Sequence, residues 1–118
     1  MPSDPLASVL HVTEEGGRTA VRFAAGTTLN GANIEDVGRR LAALAGGRDR
    51  PHLTLDLGGV TMLTSMALAK FIRLNRSVRE AGGQLTLVNP TPLVGQVFKV
   101  TRLDTLLEVR TAAEPHLA

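Results

Sequence analysis

Cysteine is absent from the chain, which excludes a disulfide framework and a thiolate zinc site and is compatible with a reducing compartment. Tryptophan and tyrosine are also missing, and phenylalanine occurs three times. Such a chain has almost no platform on which bases could stack, so direct nucleic-acid binding is not expected. Its core must be assembled from Leu, Val, Ile and Ala. No apolar run approaches the ~20 residues of a membrane span, and the opening MPSDPLASVL lacks the basic and long apolar segments of a secretory leader. The reading is a cytoplasmic protein without membrane insertion. His11, His52 and His116 lie far apart, none at metal-ligand spacing from another, so neither a metal nor a histidine-based catalyst is expected. Gly58-Gly59 and Gly82-Gly83 lack the lysine and following hydroxyl of a phosphate loop. Ser65 lacks the Gly-x-Ser-x-Gly surroundings of an esterase nucleophile. No catalytic residue and no cofactor is expected.

What is present fits one domain, since 118 residues suffice for a single packed core and not for two. The hydrophobic share of 43% and charged share of 20% are those of an ordinary globular chain. The most informative stretch is LTLDLGGVTMLTSMAL, residues 53–68. Leu53, Leu55 and Leu57 fall on one side of a strand and Thr54 and Asp56 on the other. Gly58-Gly59 break the alternation, and Asp56 at the strand end is of a type that braces the following turn, although a carboxylate there could also serve as an acid or base. Thr64 and Ser65 then offer hydroxyls to the unpaired N–H groups of a helix that starts there. Leu68, Phe71, Ile72, Leu74 and Val78 form its apolar stripe and Gly82-Gly83 close it. QLTLV follows as the next strand, which makes a β-α-β unit.

Elsewhere, residues 9–14 and 19–24 read as two strands joined by a short turn, and residues 26–31 as a loop. A helix is expected from Asn33, whose side chain can cap, with Glu35 and Asp36 in the first turn and Ile34, Val37, Leu41 and Leu44 facing inward. After Asn89-Pro90, Thr91 caps and Pro92 opens a helix burying Leu93, Val94, Val97 and Phe98. Residues 106–109 form a last strand. Residues 1–7 are expected to be a flexible lead and 111–118 a tail with at most one helical turn before Pro115. Lys70, Arg73, Arg76 and Arg79 recur every third residue and draw a slanted basic stripe along the central helix. The plain reading is a solvated outer face, and the functional one a docking edge for an acidic partner.

Asp56-Leu57-Gly58-Gly59-Val60, Ser65, Leu68, the Ala81-Gly82-Gly83 turn, residues 85–90 and Phe98-Lys99-Val100-Thr101-Arg102-Leu103-Asp104, taken in order, resemble the STAS domain, the sulfate-transporter and anti-sigma-factor-antagonist module. The resemblance spans residues 8–110. It implies an α/β fold with a mixed, mostly parallel sheet of four to five strands and three to four helices. The family's usual Asp-Ser-Ser-Gly is replaced here by Thr64-Ser65-Met66-Ala67, and Asn30 stands where an acid is common. Carried over by position, Ser65 is the phosphoacceptor, and Asn30, Thr64, Ser65, Met66, Lys70 and Arg73 face the partner.

The resemblance implies an anti-sigma factor antagonist, a non-enzymatic regulator that binds an anti-sigma factor or serine/threonine kinase protein and is switched by phosphorylation at Ser65. Homodimer formation is a further expectation. A second reading keeps the fold without the switch, as a scaffold or an accessory subunit of a membrane lipid-transport ATPase. A third is weak nucleotide binding. From the residues alone, Thr64 or Ser65 could equally be a plain helix cap.

Overall fold

The computed structural model describes residues 9–46 and 49–110; the expected lead and the tail, residues 1–7 and 111–118, lie outside the described residues. Strands β1 (Leu10–Glu15) and β2 (Arg18–Phe23) form an antiparallel hairpin in which Leu10 pairs with Phe23 and Glu15 with Arg18. The two-residue turn is Gly16-Gly17, both at positive φ, the conformation that follows the right-handed twist of the strands. The chain continues through β3 (Thr27–Leu29), α1 (Ile34–Ala45), β4 (His52–Asp56), β5 (Val60–Leu63), α2 (Ser65–Glu80), β6 (Gln84–Val88), α3 (Pro92–Val100), a short 3-10 turn at Leu103–Thr105, and β7 (Glu108–Arg110).

The main sheet has the order β1-β2-β4-β6-β7. All its pairings after the hairpin are parallel. Alternation decides which side is covered: Leu53, Leu55 and Leu57 are buried, as are Val21, Phe23, Leu85 and Leu87, while their neighbours Thr54, Asp56, Ala20 and Thr86 are not fully covered. Ile34, Val37 and Leu41 of α1, Phe71, Leu74 and Val78 of α2, and Val94 and Phe98 of α3 complete one core against that covered face. Helix α2 ends in a Schellman arrangement, with the Gly83 N–H donating to the Val78 carbonyl (2.9 Å) and the Gly82 N–H to Arg79 (2.9 Å). Gly82 takes φ +79, and a Cβ on Gly83 would fall 1.9 Å from the Pro51 carbonyl oxygen. Both positions therefore demand glycine.

Several expectations are corrected. The expected loop at residues 26–31 contains β3, which pairs in parallel with β5 as a second, two-stranded sheet. Residues 60–63, for which the sequence predicts no element, are thus a strand; their burial runs buried, exposed, exposed, buried, so the period of two is lost. Leu93 is 52% exposed, because α3 packs through Val94 and Phe98 alone among its fully buried residues. Leu106 is exposed outside the last strand. Asn33 does not cap α1: its carbonyl Oδ1 accepts the Asn30 N–H (3.0 Å) and its amide donates to the Thr28 carbonyl (2.7 Å).

Candidate functional site

The start of α2 is built from three segments. The β4–β5 turn is held by Asp56, whose Oδ1 accepts the Gly58 N–H (2.9 Å) while Oδ2 accepts the Asn89 amide (3.4 Å). Asp56 is thus a brace between the ends of β4 and β6. Strand β5 then delivers Thr64, whose N–H donates to the Leu29 carbonyl at the end of β3 (3.0 Å). The little sheet therefore sets the loop after β3 directly against the head of α2.

The two adjacent hydroxyls separate cleanly. Thr64, in extended backbone, is the N-cap, and its Oγ1 accepts the Ala67 N–H at 3.4 Å. Ser65 is the first helical residue and is exposed. Its hydroxyl has no hydrogen bond within the described residues. The free N–H groups and aligned peptide dipoles of a helix start favour an anion there.

Asn30, on the loop from β3, closes a local turn by accepting the Ala32 N–H (2.8 Å). Beside it, Met66 rests over Gly31, where a Cβ would stand 3.4 Å from the methionine sulfur. Met66 is nonetheless 51% exposed, and so to a similar degree are Met62 on β5 and Leu93 at the start of α3. Half-exposed, large apolar side chains such as these have the character of contact residues. Neither Met62 nor Leu93 was singled out in the sequence, where Leu93 is expected to be buried and Met62 lies in a segment given no element.

Asn30, Thr64, Ser65 and Met66 are brought together by these contacts. Lys70 and Arg73 lie farther along α2, about 7 and 12 Å along the axis at 1.5 Å per residue. The Lys70 ammonium does not reach toward the serine as a free charge. It sits 3.0 Å from a carboxylate oxygen of Glu35 on α1, and the hydrogen bond from Lys70, followed by its charge, holds the Glu35 carboxyl below its ordinary range. Arg73 is exposed and adds to the positive potential at Glu35. No cluster of three or more His, Asp or Glu suited to a metal ion occurs among the described residues, and no helix among them is long and apolar enough to cross a membrane.

A family profile described as "Mlab, STAS domain" matches residues 10–108. No curated protein matches the sequence. Among solved structures, an anti-sigma-factor antagonist (STAS) domain protein from Planctomyces limnophilus superimposes with a TM-score of 0.78 at 22% identity, covering 92% of this chain and 94% of that one. An anti-sigma factor antagonist from Mycobacterium paratuberculosis gives 0.74 at 18% identity, covering 98% and 96%. The unphosphorylated anti-sigma factor antagonist SpoIIAA gives 0.71 at 15% identity, covering 91% and 90%; the Bacillus protein is also known in a phosphorylated form. At these identities the likeness is one of fold.

Proposed function

The chain belongs to the STAS family, and from that membership we propose that it is a non-enzymatic, protein-binding regulator of the anti-sigma factor antagonist kind, released from its partner by phosphorylation of Ser65. The observation that carries this reading is the exposed Ser65 hydroxyl at the head of α2, without a hydrogen bond among the described residues and beside a neighbour that already fills the cap. The partner is an anti-sigma factor with serine/threonine kinase activity. It transfers the γ-phosphoryl group of ATP to Ser65 Oγ, with ADP leaving and the hydroxyl proton passing to solvent or a base on the kinase.

The energetics favour a switch of binding and not of folding. The phosphate adds about 1.5 to 2 negative charges. The helix start favours such an anion by about 0.3–1 kcal/mol, so the domain tolerates it. A partner surface that closes over Ser65 must strip water from the phosphate, which costs several kcal/mol unless cations replace the water. A loss of about 3–4 kcal/mol weakens binding several-hundredfold. Asn30, Thr64, Met66, Lys70 and Arg73 surround or extend this contact.

The test is incubation with ATP and a candidate serine/threonine kinase of the anti-sigma factor kind, followed by intact mass. One added phosphate, lost in Ser65→Ala, is expected, together with weaker partner binding by Ser65→Asp. An unmodified mass, or unchanged affinity of Ser65→Asp, refutes the switch. A second reading, an unswitched scaffold or accessory subunit of a lipid-transport ATPase, draws support from Thr64 in the position of the family acid. Copurification with a transport ATPase in place of an anti-sigma factor favours that reading.

A further inference from the structure

Strand β1 ends the main sheet and pairs with β2 alone, so its outer edge is open among the described residues. The Ala24 N–H donates to the Val9 carbonyl (2.8 Å), which carries the hairpin register one pair beyond Leu10 and Phe23 and shows Val9 bonded toward β2. Antiparallel pairing alternates. His11 and Thr13 therefore turn their backbone groups to β2, while Leu10 and Val12 turn theirs outward, where no described residue pairs with them. Sheet edges are usually blunted by shortness, proline, lysine or a bulge. β7, at the other edge, has three residues. β1 has six, LHVTEE, with neither proline nor lysine and an unbroken register. Its acids, Glu14 and Glu15, stand at one end and His11 near the other, so the strand complements itself when reversed.

We propose that β1 pairs antiparallel with β1 of a second copy of this chain, across a two-fold axis beside Thr13, so that the two main sheets join edge to edge. The proposal rests on neither the Ser65 switch nor its partner, and it gives the expected homodimer a surface and a register. Outward backbone groups meet outward groups, and sheet faces match, only when even-numbered residues stand opposite even ones and odd opposite odd. Two such registers overlap the strand most fully. Centred on Val12, the pairing sets His11 opposite Thr13 and leaves Glu15 without a counterpart in the strand. Centred on Thr13, it sets each His11 opposite the partner's Glu15, twice by symmetry. Within each copy Arg22 lies beside His11 and Arg18 beside Glu15. The order across the joint, on the open face of the sheet, is then Arg22, His11, the partner's Glu15, the partner's Arg18, and each carboxylate has a basic side chain on either side. Arg18, Arg22, His11 and Glu15 are exposed, and their side chains have no ion pair or hydrogen bond among the described residues. This self-complementarity selects a second copy over an unrelated strand, which would bring main-chain bonds without the charge match. A single pair of such strands covers less than the ~1,200–2,000 Å² of a stable complex, so the dimer is weak and depends on concentration.

Sedimentation equilibrium of the full chain over a concentration series should show a mass rising from one chain toward two, less steeply in high salt. His11→Glu sets carboxylate against carboxylate across the joint, and Glu15→Lys sets ammonium against imidazole. Each, at an exposed position, should weaken dimer formation about tenfold. An equimolar mixture of the two variants should associate again, because each chain supplies the charge the other lacks. The chain has no cysteine, so Thr13→Cys tests the axis directly. Facing residues in a pair without backbone bonds have Cα atoms about 4.5 Å apart, within disulfide range, and mild oxidation should link this variant into a dimer while Thr28→Cys, exposed elsewhere, stays largely monomeric. A mass of one chain at every concentration overturns the proposal, even if β1 then captures an extended peptide of another protein. So does a dimer indifferent to both charge variants, a mixture that associates no better than either variant alone, or equal crosslinking of the two cysteine variants. The joint and the switch fail separately, since sedimentation needs no kinase and the mass of kinase-treated protein needs no dimer.

Discussion

Thr64 and Ser65 are adjacent hydroxyls to which the structure gives opposite duties, and substitution should pull them apart. Thr64→Ala removes the oxygen that accepts the Ala67 N–H. Losing an N-cap costs about 0.5–2 kcal/mol, and the 3.4 Å separation places this one in the lower half, about 0.5–1 kcal/mol. For a domain of this size that lowers Tm by about 2–4 °C. Thr64→Ser keeps the oxygen and should keep most of the stability. Ser65→Ala removes a hydroxyl with no partner among the described residues and gains helix propensity, so no loss is expected. Ser65→Asp places a charge on the first helical residue and should gain about 0.3–1 kcal/mol, a gain that fades in 1 M salt. Thermal and urea denaturation of the four variants, at low and high salt, measure all of this. If Ser65→Ala falls as far as Thr64→Ala, or Ser65→Asp destabilises at low salt, the division of labour is wrong and the head of α2 could not take a phosphate without loss of fold.

Gly83→Ala should be among the most damaging substitutions, because the new methyl meets Pro51 backbone atoms at 1.9 and 2.7 Å; a loss of ~3 kcal/mol or more by urea denaturation is expected, in the range of strained backbone sites, and a loss below about 1 kcal/mol contradicts the packing. Met66→Ser and Leu93→Ser should change stability by less than about 0.5 kcal/mol, as exposed positions do, yet lower partner affinity in a pull-down or titration; unchanged affinity in both removes this surface from the contact. Glu35 is held below its ordinary carboxyl value, 4.5, chiefly by the Lys70 hydrogen bond and then its charge, so the native state binds fewer protons there than the unfolded chain does. Its contribution is present above about pH 4.5 and is lost as pH falls through the lowered value. Glu108 shifts the same way, with the Gln84 hydrogen bond as the largest cause. Lys70→Met should return the Glu35 carboxyl toward its ordinary range in an NMR titration and leave Glu108 where it is; identical Glu35 titration in both proteins contradicts the ion pair.

The central β-α-β unit could be read from the chain because Leu53, Leu55 and Leu57 alternate and α2 carries an apolar stripe bounded by a cap and a glycine pair. β3 and β5 could not. Each is too short for a period to emerge, and Val60-Thr61-Met62-Leu63 is covered at its ends and open in the middle, a pattern set by the elements around it. Local chemistry also misled at Asn33, whose side chain has both a donor and an acceptor and uses them on the Asn30 and Thr28 backbones instead of on its own helix. The ambiguity between Thr64 and Ser65 was of the same kind: one residue of shift decides which oxygen points back at the Ala67 N–H, and the Thr64–Leu29 backbone bond, a long-range contact, sets that shift. Lys70 was readable as a cation but not as half of a bridge, since its partner lies on another helix.

The neutral cap bears on how deep a phosphate switch at Ser65 can be. An aspartate at position 64 would fill the same hydrogen-bonding role and add a negative charge beside the phosphate. For groups about 6 Å apart, a unit charge facing a phosphate of about −2 costs about 1.4 kcal/mol even at the dielectric of water. Thr64 removes that penalty, so the modified domain meets the favourable helix start without an opposing carboxylate. The discrimination between the two forms then has to come from the partner's approach, through water expelled from the phosphate. Met66, half-exposed beside Ser65, is an apolar surface whose burial would drive water out. A partner that touched Ser65 across a wet, polar contact would leave the phosphate solvated and release little. In the proposed switch, apolar closure over the head of α2 would turn a tolerated charge into a disruptive one, and the proposal stands or falls with that contact.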